Sequence, residues 1–138
     1  MPLSTLQRLR HALSRAAEAR FTGSAGTCVS NAVTITSPRG TITTESLTTA
    51  AAGTQAITMT NTAFLAGDFA VCMVDKNAGG TGTPIISRVD VATAGTVVIT
   101  IKNIHASVAL NGAQTIAFQR VRPNSRTGAT QTGINAPG

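Results

Sequence analysis

The chain has no Trp and no Tyr, and its aromatic content of 3% is carried by four Phe. Sugar clefts and single-strand nucleic-acid grooves rely on aromatic platforms, so both functions start poorly supplied. Catalytic side chains are equally sparse. Two His and five acids (Glu18, Glu45, Asp68, Asp75 and Asp90) are scattered over 138 residues. Only two Cys occur, Cys28 and Cys72, far apart and in no ligand spacing. That spacing argues against a metal site, and with no apolar secretory run at the N-terminus it predicts reduced thiols made in a cytosol. No run approaches the ~20 apolar residues of a membrane-spanning helix. Charged residues total 12%, about half of the roughly 25% usual in globular chains. A surface this poor in charge suits a subunit of an assembly better than a lone monomer.

Threonine and β-branched residues fill the space that charge leaves. Segments such as Ala32-Val33-Thr34-Ile35-Thr36 and Gly95-Thr96-Val97-Val98-Ile99-Thr100-Ile101 have the composition of half-buried strands. The pattern predicts strands at 32–36, 41–46, 55–61, 69–74, 85–91, 96–103 and 114–122. Tight turns are expected at Ser37-Pro38-Arg39-Gly40, at Thr93-Ala94-Gly95 and at Asn111-Gly112, the last a hairpin-type dipeptide. Many short strands at such spacing predict a mainly β protein, an antiparallel β-sandwich of jelly-roll or Ig-like type. Cys72 lies within the apolar run at 69–74 and reads as a small core hydrophobe.

The two ends differ from the middle. Ser4-Thr5-Leu6-Gln7 reads as a capping box that opens an amphipathic helix, with Leu6, Leu9 and Leu13 on one face and Arg8 and Arg15 elsewhere. A helix of this length is marginal alone, so its leucine face needs its own sheet or a neighbour to lie on. The formal net charge is +6, and Arg8, Arg10, Arg15 and Arg20 against Glu18 supply half of it. Residues 22–29 are small and read as a linker. After Pro123 the composition is Gly, Thr, Asn, Ser and Pro, with Arg126 and Ile134, which predicts an extended tail. The expected organisation is a basic helical arm at 1–22, a β-domain at 30–122 and a tail at 123–138. Arg120, Arg122 and Arg126 form a second basic cluster leading into that tail.

Motifs with chemistry in them are weak. His105 is the one imidazole within the β-domain, and with no elbow or oriented acid beside it a local hydrogen bond at a strand end is the expected role. Asp68, Asp75 and Asp90 lack the clustered spacing of a calcium loop. Gly79-Gly80-Thr81-Gly82 has no Lys-Ser/Thr after it and reads as a loop tip rather than a phosphate cradle. No catalytic, cofactor-binding or metal residue is therefore assigned. Non-specific phosphate contact through the arginines is the one nucleic-acid interaction the composition supports.

The stretch from Gly95 through Asn103-Ile104-His105, Asn111-Gly112 and Thr115-Ile116-Ala117-Phe118 to Val121 resembles the C-terminal half of small β-rich virion proteins of tailed bacteriophages. The segment beginning Gly40-Thr41-Ile42-Thr43 is similar to them as well, so the likeness spans about residues 31–121. The Arg-rich helix lies outside that family pattern. The resemblance implies a capsid decoration or cement protein, dimeric or trimeric, made in the bacterial cytoplasm and placed on the virion surface. It implies the major capsid protein or another virion protein as partner, with no cofactor, membrane or specific nucleic acid. Contacts are expected from Leu6, Leu9, Leu13, Arg8 and Arg15 in the helix, and from Arg120, Arg122, Arg126 and Ile134 towards the tail. The rival reading is a head-fibre, neck or tail appendage that binds a virion protein, a host receptor or a glycan through the loop at 77–82.

Overall fold

A computed structural model of the protein describes residues 4–8, 23–77 and 80–123. Eight strands follow one another: β1 (Ser24–Thr27), β2 (Ala32–Thr34), β3 (Arg39–Thr43), β4 (Thr54–Thr60), β5 (Phe69–Lys76), β6 (Pro84–Thr93), β7 (Thr96–Asn103) and β8 (Gln114–Val121). They form two four-stranded sheets, β1-β3-β8-β5 and β2-β4-β7-β6. Period-two alternation sets their faces. In β7, Val97, Ile99, Ile101 and Asn103 are buried, whereas in β4 the outward Thr54, Ala56, Thr58 and Thr60 are exposed. Ile42, Ile116 and Phe118 of the first sheet and Ile57, Met59 and Ile99 of the second join one hydrophobic cluster. Phe64, from the loop after β4, packs its ring 6.4 Å from that of Phe118.

The chain is mainly β, as the sequence predicts, but its sheets are mixed rather than antiparallel. β1 pairs with β3 and β2 with β4 in parallel, while the remaining pairings are antiparallel. The reason is connectivity: from β1 to β6 the chain passes to the other sheet at every step. β1 and β3 are thus joined through β2 and can run in the same direction. Of consecutive strands only β6 and β7 pair, through a turn in which Gly95 has φ +81. That turn matches the sequence reading. Asn111-Gly112 does not make a hairpin, because β7 and β8 lie in different sheets; it bridges instead to Thr81 and Leu47.

Within the expected linker at 22–29, Ser24–Thr27 is strand β1, so the β-domain begins before residue 30. Its small residues reflect crowding. A Cβ on Gly26 would lie 2.6 Å from Val33 Cγ2, and one on Gly40 would lie 2.0 Å from the Ser24 carbonyl oxygen. Ser30 and Asn31, at φ 51 and 59, then turn the chain tightly into β2. Both central residues being left-handed is the requirement of a type I′ turn. Their N–H groups donate to the Glu45 carboxylate at 2.5 and 3.4 Å.

In the described segment at 4–8 the capping box is present. Ser4 N–H donates to Gln7 Oε1 at 2.9 Å, and Gln7 N–H donates to Ser4 Oγ at 3.2 Å. Arg8 N–H closes the first helical turn on the Ser4 carbonyl at 3.0 Å. The rest of the expected helix, with Leu9, Leu13 and Arg15, lies outside the described residues, as do Arg126 and Ile134 in the expected tail.

Candidate interaction surfaces

Most charged and polar side chains with resolved partners are occupied in holding loops. Arg122 Nε and Nη2 donate to the two oxygens of Asp68 at 2.7 and 2.8 Å, and Leu65 N–H donates to Asp68 Oδ2 at 2.8 Å. These bonds hold the Asp68 carboxyl down to a pKa of about 2. Arg120 Nη1 donates to the Ala63 carbonyl, and Arg122 Nη2 reaches the same oxygen at 3.4 Å. Two arginines expected to meet a partner thus pin residues 63–68 to the end of β8. Arg88 pairs with Asp90 at 2.8 Å on the exterior.

His105 Nδ1 accepts the N–H groups of Ser107 and Val108 at 3.2 and 3.0 Å, the local role expected of it. Beside it, buried Asn103 donates to the Val108 carbonyl at 2.8 Å and accepts from Thr83 N–H at 3.0 Å and His105 N–H at 3.1 Å. The expected loop tip at 77–82 is tied down in part, since Thr81 Oγ1 donates to the Ala109 carbonyl at 2.9 Å. Burial pushes the Cys72 thiol up to about 11, and burial together with Glu45 raises Cys28 as well. Both thiols are protonated at neutral pH and are poor nucleophiles. Among the described residues no group of three or more His, Cys, Asp or Glu could hold a metal ion, and no helix is long and apolar enough to cross a membrane. Asp68 and Asp90 border one groove of about 260 Å³, but each is already paired with an arginine.

The exterior has two faces of a different kind. On the second sheet, Thr34 pairs with Thr60, Thr60 with Thr96 and Thr96 with Thr93, a row of threonines across all four strands. Neighbouring strands are ~4.8 Å apart, so the hydroxyl and methyl groups form a regular ridge. The next row is Ala32, Thr58, Val98 and Asp90, and the next holds Ala56, Thr100 and Arg88. Charge is confined to the β6 side and to Lys102. On the first sheet, Phe69, Val71 and Met73 of β5 are 63, 56 and 72% exposed, with Val121 beside Phe69 and Ala117 beside Met73.

Of the expected contact residues, Leu6 and Arg8 lie exposed in the described helical turn, and Arg120 and Arg122 have the intramolecular roles given above. The structure does not bring these two pairs to one site. Sequence reasoning missed the outward residues of β5, because a continuous apolar run looks the same whether buried on both faces or placed at an edge. A partial signal was size at four positions, where the small Ala70 and Cys72 alternate with the large Phe69 and Met73; Val71 and Val74, one on each face, carry none.

No family model, curated protein or solved structure matches this chain.

Proposed function

We propose that the chain is a non-enzymatic structural protein of a tailed-phage virion, which binds the capsid shell and stabilises it as a decoration or cement protein. The observation that supports this best is the outer face of the second sheet, where the Thr34–Thr60–Thr96–Thr93 row lies on a surface whose charge is confined to Arg88, Asp90 and Lys102. Such a face meets another flat surface through close packing and hydroxyl hydrogen bonds. Each contact is weak, and repetition over a shell multiplies it. The partner is the major capsid protein or a neighbouring virion protein. Leu6, Leu9, Leu13, Arg8 and Arg15 in the N-terminal arm and Arg126 and Ile134 in the tail add contacts to adjoining subunits.

In this reading the two sheets are the layers of a sandwich. Eight strands in two sheets of four match a jelly roll in number rather than a seven-stranded immunoglobulin domain, while the parallel β1–β3 and β2–β4 pairings depart from the antiparallel pattern of both.

A double variant, Thr58→Lys with Thr60→Lys, tests the assignment, since both side chains are exposed and point away from the core. The variant keeps the wild-type melting temperature and loses most of its co-sedimentation with phage shells stripped of the protein. Undiminished co-sedimentation overturns the role of this face.

A further inference from the structure

We propose that β5 is a self-pairing edge: two copies of this chain add their β5 strands to one another, antiparallel about a two-fold axis at Val71. The inference concerns the sheet opposite the threonine face and stands independently of shell binding.

An unpaired strand edge invites another strand, and proteins normally blunt it with short length, bulges, proline or charge. Among the described residues, three of the four sheet edges show those devices. β1 and β2 have only 4 and 3 residues. β6 begins with Pro84, carries register shifts at Ile86/Arg88 and Asp90/Thr93, and bears the Arg88–Asp90 pair. β5 shows only charge, and that at its C-terminal end, in Asp75 and Lys76. It runs 8 residues without proline or glycine and without a charge before Asp75. One side pairs with β8; among the described residues no backbone group bonds to the other side.

The strand is also apolar on both faces. Phe69, Val71 and Met73 stand outward in solvent. The inward Ala70, Cys72 and Val74 are only partly buried, as are Ile86, Val89 and Val91 of β6 across the seam between the sheets. These six are the partly buried hydrophobics that pack against the core, so the core is least covered along this seam. A groove of about 260 Å³ opens there between Phe69, Ala70, Val89 and Val91. A strand added beside β5 covers both its outer ridge and the seam.

A second copy fits this edge by symmetry. With the axis at Val71, Phe69 of each copy lies opposite Met73 of the other, and Val71 lies opposite itself. Phe–Met and Val–Val pairs are favourable cross-strand neighbours, the first with a sulfur–aromatic contact. Asp75 and Lys76 of each copy fall opposite Gly67 and Ala66 of the other, so no like charges meet. The paired stretch is small beside a standard interface of ~1,600 Å², the class of weak and transient contacts, and the expected outcome is dissociation in the micromolar range.

The test is sedimentation of the full chain from about 1 to 200 µM, a range that brackets this affinity, for the wild type and for Val71→Lys. Val71 is 56% exposed, so the lysine does not enter the core. The wild type passes from monomer to dimer, and the variant dissociates at least ten-fold more readily with an unchanged melting temperature. A Val71→Cys variant supplies a second readout that needs no charge. Under mild oxidation it forms a covalent dimer, whereas Thr58→Cys on the opposite sheet does not. A wild type that stays monomeric overturns the proposal. If the thiol introduced by Val71→Cys is then protected from thiol reagents, another segment of this chain covers the ridge; if it reacts freely, the ridge serves a different protein. A dimer unaffected by Val71→Lys overturns it equally.

Discussion

Asp68 is only 5% exposed and accepts three hydrogen bonds, two from Arg122 and one from the Leu65 backbone. All three favour the ionised carboxylate. Its folded-state pKa of about 2 lies below the ordinary 3.8, so folding favours loss of the proton. The resulting stability is complete above about pH 4 and is lost as pH falls towards 2. Thermal melts between pH 5 and pH 2 should show a fall in Tm that is clearly smaller in Asp68→Asn, which has no carboxylate to protonate. The same fall in both proteins contradicts the assignment. Asn103 is the corresponding residue at the other end of the domain. Truncating it to Ala leaves the N–H groups of Thr83 and His105 without their acceptor and the Val108 carbonyl without its donor. The expected cost is about 2–4 kcal/mol in urea denaturation, and a loss below about 1 kcal/mol contradicts a stapling role.

Strands β1 and β3 depend on glycine for their close approach. A Cβ on Gly40 would meet the Ser24 carbonyl oxygen at 2.0 Å, and that atom belongs to backbone that cannot swing aside. Gly40→Ala should therefore cost about 1–3 kcal/mol, with hydrogen-exchange protection lost first in β1. Unchanged exchange in β1 argues against that packing. The same crowding explains what the sequence hid. Strands rich in β-branched residues were legible: β7 falls at 96–103 as expected, and β4, β6 and β8 differ from expectation by one or two residues at an end. β1 was not legible, because Ser24-Ala25-Gly26-Thr27 has linker composition and is a strand only through contacts with Gly40, Val33 and Ile35. Parallel pairing was hidden for a related reason, since it depends on partners distant in sequence. The capping box at Ser4 and Gln7 was legible because both partners lie three residues apart.

Among the described residues, most polar side-chain contacts hold loops, and on opposite sheets the β2–β4 threonines and the Phe69–Val71–Met73 ridge present charge-poor surface outward. The arginines at 120 and 122 were legible as a basic cluster, but not as clamps, because Asp68 and Ala63 are 54 and 57 residues away in sequence. The threonine row was legible only as composition; its alignment across four strands requires the register. If the proposed shell face and the proposed self-pairing edge both hold, the chain strengthens an assembly through many weak contacts. Such a protein should be abundant where it acts. The most direct measurement for the proposed role is the copy number of the chain in purified particles of a phage whose genome encodes it, counted by quantitative mass spectrometry against the major shell protein. The account predicts a number comparable to that of the shell protein, and a handful of copies, or none, contradicts it.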